Sequence, residues 1–221
     1  MITSIDQVIP EKNIIIFSTH YDDVFFMSGG YLDKMRAQDL LGSKNISIKL
    51  IYSKINYQAR SGELNYDRSL ARVQFATGVR YLEDVECLNE LVRAHDYAYE
   101  TYKEEEFLVR CKTLADFKFE FPHCMFTDFW EVDWGIYHRL VDKIALLAQQ
   151  EDTALIFPLS IKEHLDHFIL REAAAKVMKE GKSKATFYFQ EDKPYGGLAD
   201  DEEWQRTEAF ISNHKLENIN Y

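Results

Sequence analysis

Cysteine is scarce in this chain of 221 residues: Cys87, Cys111 and Cys124 are an odd, scattered set with no CxxC spacing. That leaves no basis for a disulfide framework or a thiolate zinc site, and the thiols read as reduced and structural. There are four prolines and nine glycines. No Pro/Gly/Ser linker, repeat or low-complexity tract divides the sequence, so residues 1–221 are expected to form one domain. No apolar run approaches the roughly 18 residues of a membrane span, and the opening MITSIDQVIPEK lacks the basic start and apolar stretch of a signal peptide. A soluble, cytoplasmic protein without a transmembrane segment is the expectation. Positive charge is also short, with 26 Lys and Arg against 37 Asp and Glu, a net charge of -11. Nucleic-acid binders usually concentrate basic residues on one face, so a nucleic-acid partner is not expected. Oligomeric state leaves no mark in the sequence.

What is present is a large apolar fraction, 46%, enough to bury a substantial core. Runs at 13–18, 46–52, 154–158 and 185–189 are short and rich in Ile, Val, Phe and Tyr, as strands buried on both faces tend to be. Between them, 25–40, 66–77 and 136–150 carry apolar residues at helical steps. A fourth helix is predicted from Leu165 to Gly181, whose missing Cβ suits a left-handed cap. Strands alternating with helices predict an α/β fold: a three-layer, Rossmann-like, doubly wound and mainly parallel sheet. Residues 95–134, with a charge run at 103–107 and dense aromatics after it, break this rhythm. They read as an insertion or active-site wall, or else as a solvated helix face followed by core aromatics.

Two strand ends carry the chemistry. Residues 13–24 read NIIIFSTHYDDV, an apolar strand running into His20, Asp22 and Asp23, and ALIFPL at 154–159 precedes His164-Leu-Asp166-His167. Strand ends of an open parallel sheet lie side by side at its carboxyl edge, so the two clusters can meet. Borderline metals such as zinc favour imidazole and carboxylate, and a catalytic site typically takes three protein ligands, here His20, Asp23 and His167. Asp22 then stands beside the metal as general base for an attacking water. His164 is placed to stabilise an oxyanion or protonate a departing amine, with Asp166 orienting it as a dyad. Taken alone, the Asp-Asp pair is more often a helix cap, and HxDH alone is weak. Two clusters after two buried strands are harder to explain by capping.

THYDDVFFMSGG with EHLDHFILREAA resembles the PIG-L/LmbE family of zinc-dependent deacetylases of N-acetylated amino sugars, over most of the chain. The first motif of that family commonly reads His-Pro-Asp-Asp-Glu before a Gly-Gly pair. Here Tyr21 and Val24 depart from it, in the manner of a branch that also carries a C-terminal Tyr-Glu-Asp-x-Pro-Tyr element, similar to YFQEDKPY at 188–195. The resemblance implies an LmbE-like fold and zinc, or another divalent transition metal such as Fe2+, on His20, Asp23 and His167. It implies the base role for Asp22 and the acid or oxyanion role for His164 with Asp166. An N-acetylglucosamine-like sugar or glycoconjugate is the implied substrate, giving acetate and a free amine. Arg60, in a loop where family members often hold substrate hydroxyls, and Arg68 are candidate contacts to a sugar or phosphate, or are simply solvated. The stretch 68–78 is similar to the family's Arg-rich helix ending at glycine but lacks its acidic residue. Tyr195 with Gly196-Gly197 reads as a lid or pocket wall, or as an ordinary turn. Trp130 and Trp134 read as packing residues before sugar platforms, and His95, His123, His138 and His214 as non-ligands. Two other readings compete: a non-catalytic sugar-binding member of the family, and a receiver-like signalling domain holding magnesium on its acidic residues.

Overall fold

Alternation within the apolar runs decides the layers. In β1 (Asn13–Ser18) and β4 (Thr153–Pro158) every residue after Asn13 is buried, and successive side chains point to opposite faces. Ile14, Ile16, Ala154 and Ile156 pack on one side with Val24, Leu32 and Met35 of α1 (Asp23–Ala37) and Leu88 and Val92 of α2 (Leu70–Val92). Ile15, Phe17, Leu155 and Phe157 pack on the other with α4 (Glu131–Leu147), α5 (Leu165–Lys179) and Phe210 of α6 (Asp201–Asn213). Phe17 and Phe157 stack across the β1–β4 pair at 4.4 Å. Helices therefore cover both faces of a sheet in the three-layer arrangement predicted.

The computed structural model describes residues 9–56, 69–93, 95–111, 120, 126, 129–193 and 195–216. Within them, β2 (Asn45–Leu50), β3 (Tyr97–Thr101) and β5 (Thr186–Gln190) complete a five-stranded sheet in the order β3-β2-β1-β4-β5. All four pairings are parallel, with Ile14 opposite both Ile46 and Ala154. The chain moves outward from β1 to β3, then crosses to β4 and β5. Strand order thus reverses between β1 and β4, and in such sheets the crevice beyond the carboxyl ends at that point is where ligands bind. Among the described residues, no helix is long and apolar enough to cross a membrane.

Several boundaries differ from the sequence reading. The helix predicted over 66–77 begins at Leu70, where Ser69 accepts the Arg72 N–H, and runs through Gly78 to Val92. Gly78 is followed by further helix-compatible turns, so its propensity cost of about 1 kcal/mol does not stop the helix. α5 ends at Lys179, with Gly181 at φ 65 just beyond it, the left-handed position predicted. Part of the 95–134 segment forms β3 and a short helix, α3 (Phe107–Arg110). β3 is an edge strand with alternately half-buried and exposed residues, which hides it from an apolar-run search.

Candidate functional site

β1 ends in buried Ser18, and buried Thr19 leads on to His20, Tyr21, Asp22 and Asp23 at the first turn of α1. Asp22 adopts φ 74, a left-handed conformation uncommon for a residue with a side chain but tolerated by Asp. It occupies the N-cap position yet makes no side-chain cap bond. Instead Asp23 Oδ2 accepts the His20 N–H at 2.7 Å, and Asp84 Oδ1 on α2 accepts the Asp22 N–H at 3.0 Å. The turn is a built geometry that presents both carboxylates, rather than a simple helix cap. Tyr21 and Val24, which depart from the commoner motif, have packing roles: the Tyr21 hydroxyl donates to the Ser53 carbonyl, and Val24 is fully buried in the core.

β4 leads to the second cluster at the start of α5. His164 is the N-cap and its Nδ1 accepts the Asp166 N–H at 3.2 Å. A backbone N–H can only donate, so the neutral ring carries its proton on Nε2, which lies 3.3 Å from Glu120 Oε1. Burial lowers the pKa of His164, against the pull of Glu120.

The two clusters meet. Asp23 Oδ2 stands 3.7 Å from His20 Nδ1 and 3.4 Å from His167 Nε2. Ligand atoms of His20, His164 and His167 all lie within 4.8 Å of one another, the one such His/Cys/Asp/Glu group among the described residues. His167 is fully buried, and neither ring nitrogen makes a hydrogen bond, although Nδ1 lies 3.1 Å from Asp192 Oδ2. Burial alone would lower the His20 pKa, but its hydrogen bond to Asp166 and then the Asp166 charge raise it to about 9.

The expected side-chain dyad of His164 and Asp166 is not formed. The Asp166 carboxylate turns away from His164, with Oδ2 2.9 Å from His20 Nε2 and Oδ1 2.6 Å from Arg110 Nη2. The cause is α3, which brings a buried guanidinium and the Phe107 N–H to this carboxylate. What Asp166 offers His164 is its backbone N–H, bonded to Nδ1. Burial would raise the Asp166 pKa, yet the Arg110 charge and the His20 hydrogen bond hold it well below the usual carboxylate range.

A cleft of about 380 Å³ opens over the cluster, lined by His20, Asp22, Arg80, Glu106, His164 and Tyr195 among others. The Asp22 carboxylate pairs with Arg80, which also bonds Glu83 at 2.9 Å. Removal from bulk water, then the charge of Asp23, pushes Asp22 up to about 6, against the pull of Arg80. Tyr195 is a wall, its ring centroid 5.5 Å from that of His167. Residues from the 95–134 segment, Glu106, Phe107 and Leu108, form another part of it.

Arg60 and Arg68 lie outside the described residues. Arg80 and Arg110 were the basic residues missed. Arg80 sits on the continuation of a helix expected to end at Gly78, and Arg110 follows a charge run with no periodic signal. The described histidines outside the cluster have other surroundings: His95 packs beside Gly42, His138 stacks on Trp134, and His214 Nδ1 lies 2.8 Å from the Phe210 carbonyl. Trp130 stacks on buried Phe107 as packing.

The sequence matches no protein-family model and no curated protein. Its fold has solved counterparts. A deacetylase of the teicoplanin biosynthesis pathway, solved with teicoplanin, matches with TM-score 0.58 at 18% identity, over 91% of this chain and 86% of that one. The zinc-inhibited form of teicoplanin deacetylase Orf2 gives 0.56 at 16%, over 91% and 83%. The A40926 pseudoaglycone deacetylase Dbv21 gives 0.52 at 14%, over 92% and 81%. These likenesses carry the α/β architecture of the whole described sheet and its helices.

Proposed function

We propose that this chain is a metal-dependent amidohydrolase that removes an N-acetyl group from an N-acetylglucosamine-like sugar or glycoconjugate, releasing acetate and a free amine. The observation that carries the reading is the spacing of two imidazole nitrogens around Asp23 Oδ2, at 3.7 Å to His20 Nδ1 and 3.4 Å to His167 Nε2. Ligands about 2.0–2.1 Å from a tetrahedral cation stand roughly 3.3–3.4 Å apart, so Asp23 Oδ2 stands near ligand spacing from each of the two nitrogens. Two imidazoles and a carboxylate are the donor set of zinc and of similar ions such as Fe2+. The buried His167 Nε2, without a hydrogen bond, is the kind of polar atom that asks for a partner. His20, Asp23 and His167 are thus the proposed ligands. When bound, the cation supplies Lewis acidity to the scissile carbonyl and to the attacking water.

The remaining steps belong to side chains. Asp22, at the cleft and outside the ligand set, takes the proton of the attacking water on its carboxylate. His164, whose neutral ring carries its proton on Nε2, donates a hydrogen bond from that atom to the oxyanion formed by the attack, and the proton taken up by Asp22 passes to the departing amine. It is assigned this role rather than ligation because Nδ1 is occupied by the Asp166 N–H. A cleft of about 380 Å³ falls in the ordinary range for small-molecule sites. That the solved proteins sharing the fold are deacetylases supports an acetyl group as the one released. Arg60 and Arg68 stay proposed as contacts to substrate hydroxyls or phosphate.

Acetate release from N-acetylglucosamine and its glycosides, before and after chelation and return of zinc, tests the reading. The metal-loaded protein is expected to release acetate from at least one of them, and the chelated protein from none. Asp22→Asn is expected to keep about one metal per chain while kcat falls roughly 10²–10⁴-fold. Full activity in Asp22→Asn discards the base assignment. A metal-loaded wild type that binds these sugars and cleaves none is a sugar-binding protein instead.

A further inference from the structure

We infer that Arg110 is a positioning residue that fixes the His20 ring by way of Asp166, an inference that rests on reading the site as a metal centre. His20 Nε2 is 2.9 Å from Asp166 Oδ2, which leaves Nδ1 facing Asp23. An imidazole that ligates through one nitrogen is oriented by the acceptor on the other. That acceptor is useful only if it cannot turn. Asp166 is fully buried, and both its oxygens are held: Oδ2 accepts the Phe107 N–H at 3.0 Å and Oδ1 accepts from Arg110 Nη2 at 2.6 Å.

Arg110 is itself clamped. Its side chain is 1% exposed, Nε donates to Asp133 Oδ1 at 3.0 Å, Nη1 donates to the Glu105 carbonyl, and the guanidinium lies over the Tyr52 ring. Asp133 in turn accepts the Trp130 N–H at the start of α4. An unbroken run of hydrogen bonds therefore leads from α4 through α3 and α5 to the loop after β1. Only the last member, His20, faces the cleft. Fold stability gives little reason for such a cluster, since buried ion groups can often be exchanged for apolar ones without loss. The planar fork of arginine, with two bonds in fixed directions, does explain it: the fork sets the plane of the Asp166 carboxylate, and the carboxylate sets the ring.

The test is a competition titration of Zn2+ and Co2+ on metal-stripped full-length protein against a chromophoric chelator, with the visible Co2+ spectrum recorded alongside. Arg110→Met is expected to weaken metal binding roughly 10–100-fold and to change the Co2+ spectrum. Arg110→Lys and Asp133→Asn should show smaller losses, because each keeps part of the clamp. A purely structural role lowers the melting temperature of the metal-free variants and leaves affinity and spectrum at wild-type values. That result in folded Arg110→Met overturns the inference. Should Arg110→Met not fold, wild-type affinity and spectrum in both other variants overturn it equally. A wild type that takes up neither ion fails the metal-centre reading itself, a separate outcome.

Discussion

The residue that best shows how chemistry is built into this backbone is Asp22. At φ 74 it holds a conformation that persists only where its surroundings over-determine it. Those surroundings come from one helix, α2, which supplies Arg80 to the Asp22 carboxylate and Asp84 to its N–H. Asp84 is buried and also accepts from the Tyr99 hydroxyl at 2.5 Å. Tyr99→Phe removes that donor from a buried carboxylate and is expected to cost about 1–3 kcal/mol in urea unfolding. In the proposed enzyme it should also lower kcat more than it changes KM, because the turn holding the base loosens. An unchanged unfolding midpoint would show that Asp84 does not depend on Tyr99. At this scale the sequence was informative about types and positions, as with His20, Asp22, Asp23, His164 and His167. It was silent on partners: nothing in HLDH tells that Asp166 faces His20, because that is decided by Arg110 arriving from another helix.

At the scale of elements, the strands that a run of apolar residues can reveal are the ones buried on both faces. β1 and β4 were legible for that reason, β2 through its buried Ile46, Ile48 and Leu50, and the edge strand β5 through its buried Tyr188 and Phe189. β3 was not, since none of its residues is buried. α6 was also missed, although Asp200 and Glu203 form a reciprocal capping box, with Asp200 Oδ1 accepting the Glu203 N–H at 2.9 Å and Glu203 Oε2 accepting the Asp200 N–H at 2.8 Å. The D-x-x-E spelling of that box was the available signal. Asp200→Ala removes one half of that box and is expected to lower the urea midpoint. The central strands bear more weight. Phe157 lies between Phe17 at 4.4 Å and Phe187 at 5.6 Å, fully buried. Phe157→Ala should destabilise by about 3–5 kcal/mol, and a loss under 1 kcal/mol would mean that the core closes over the gap.

For the whole molecule, parallel strand order is what turns two distant motifs into one site. β1 and β4 are neighbours although about 135 residues separate their ends, so their loops open onto the same crevice. The sequence implied that meeting through a repeated pattern, strand then ligand residues then helix, and the register of Ile14 with Ala154 is how it is realised. The described residues gather three imidazoles there, a poor match to the all-oxygen magnesium site of a receiver-like domain. A ligand that binds only the folded chain stabilises it, by about 2.7 kcal/mol at a hundredfold excess over Kd. For a chain of this size that corresponds to a rise in melting temperature of roughly 5–10 °C, reversed by a chelator. The most direct measurement is anomalous scattering at the zinc edge from a crystal loaded with zinc. The account predicts one strong peak bonded to His20, Asp23 and His167 at about 2.0–2.2 Å. No peak there at saturating zinc, or a peak held by other residues, would contradict it.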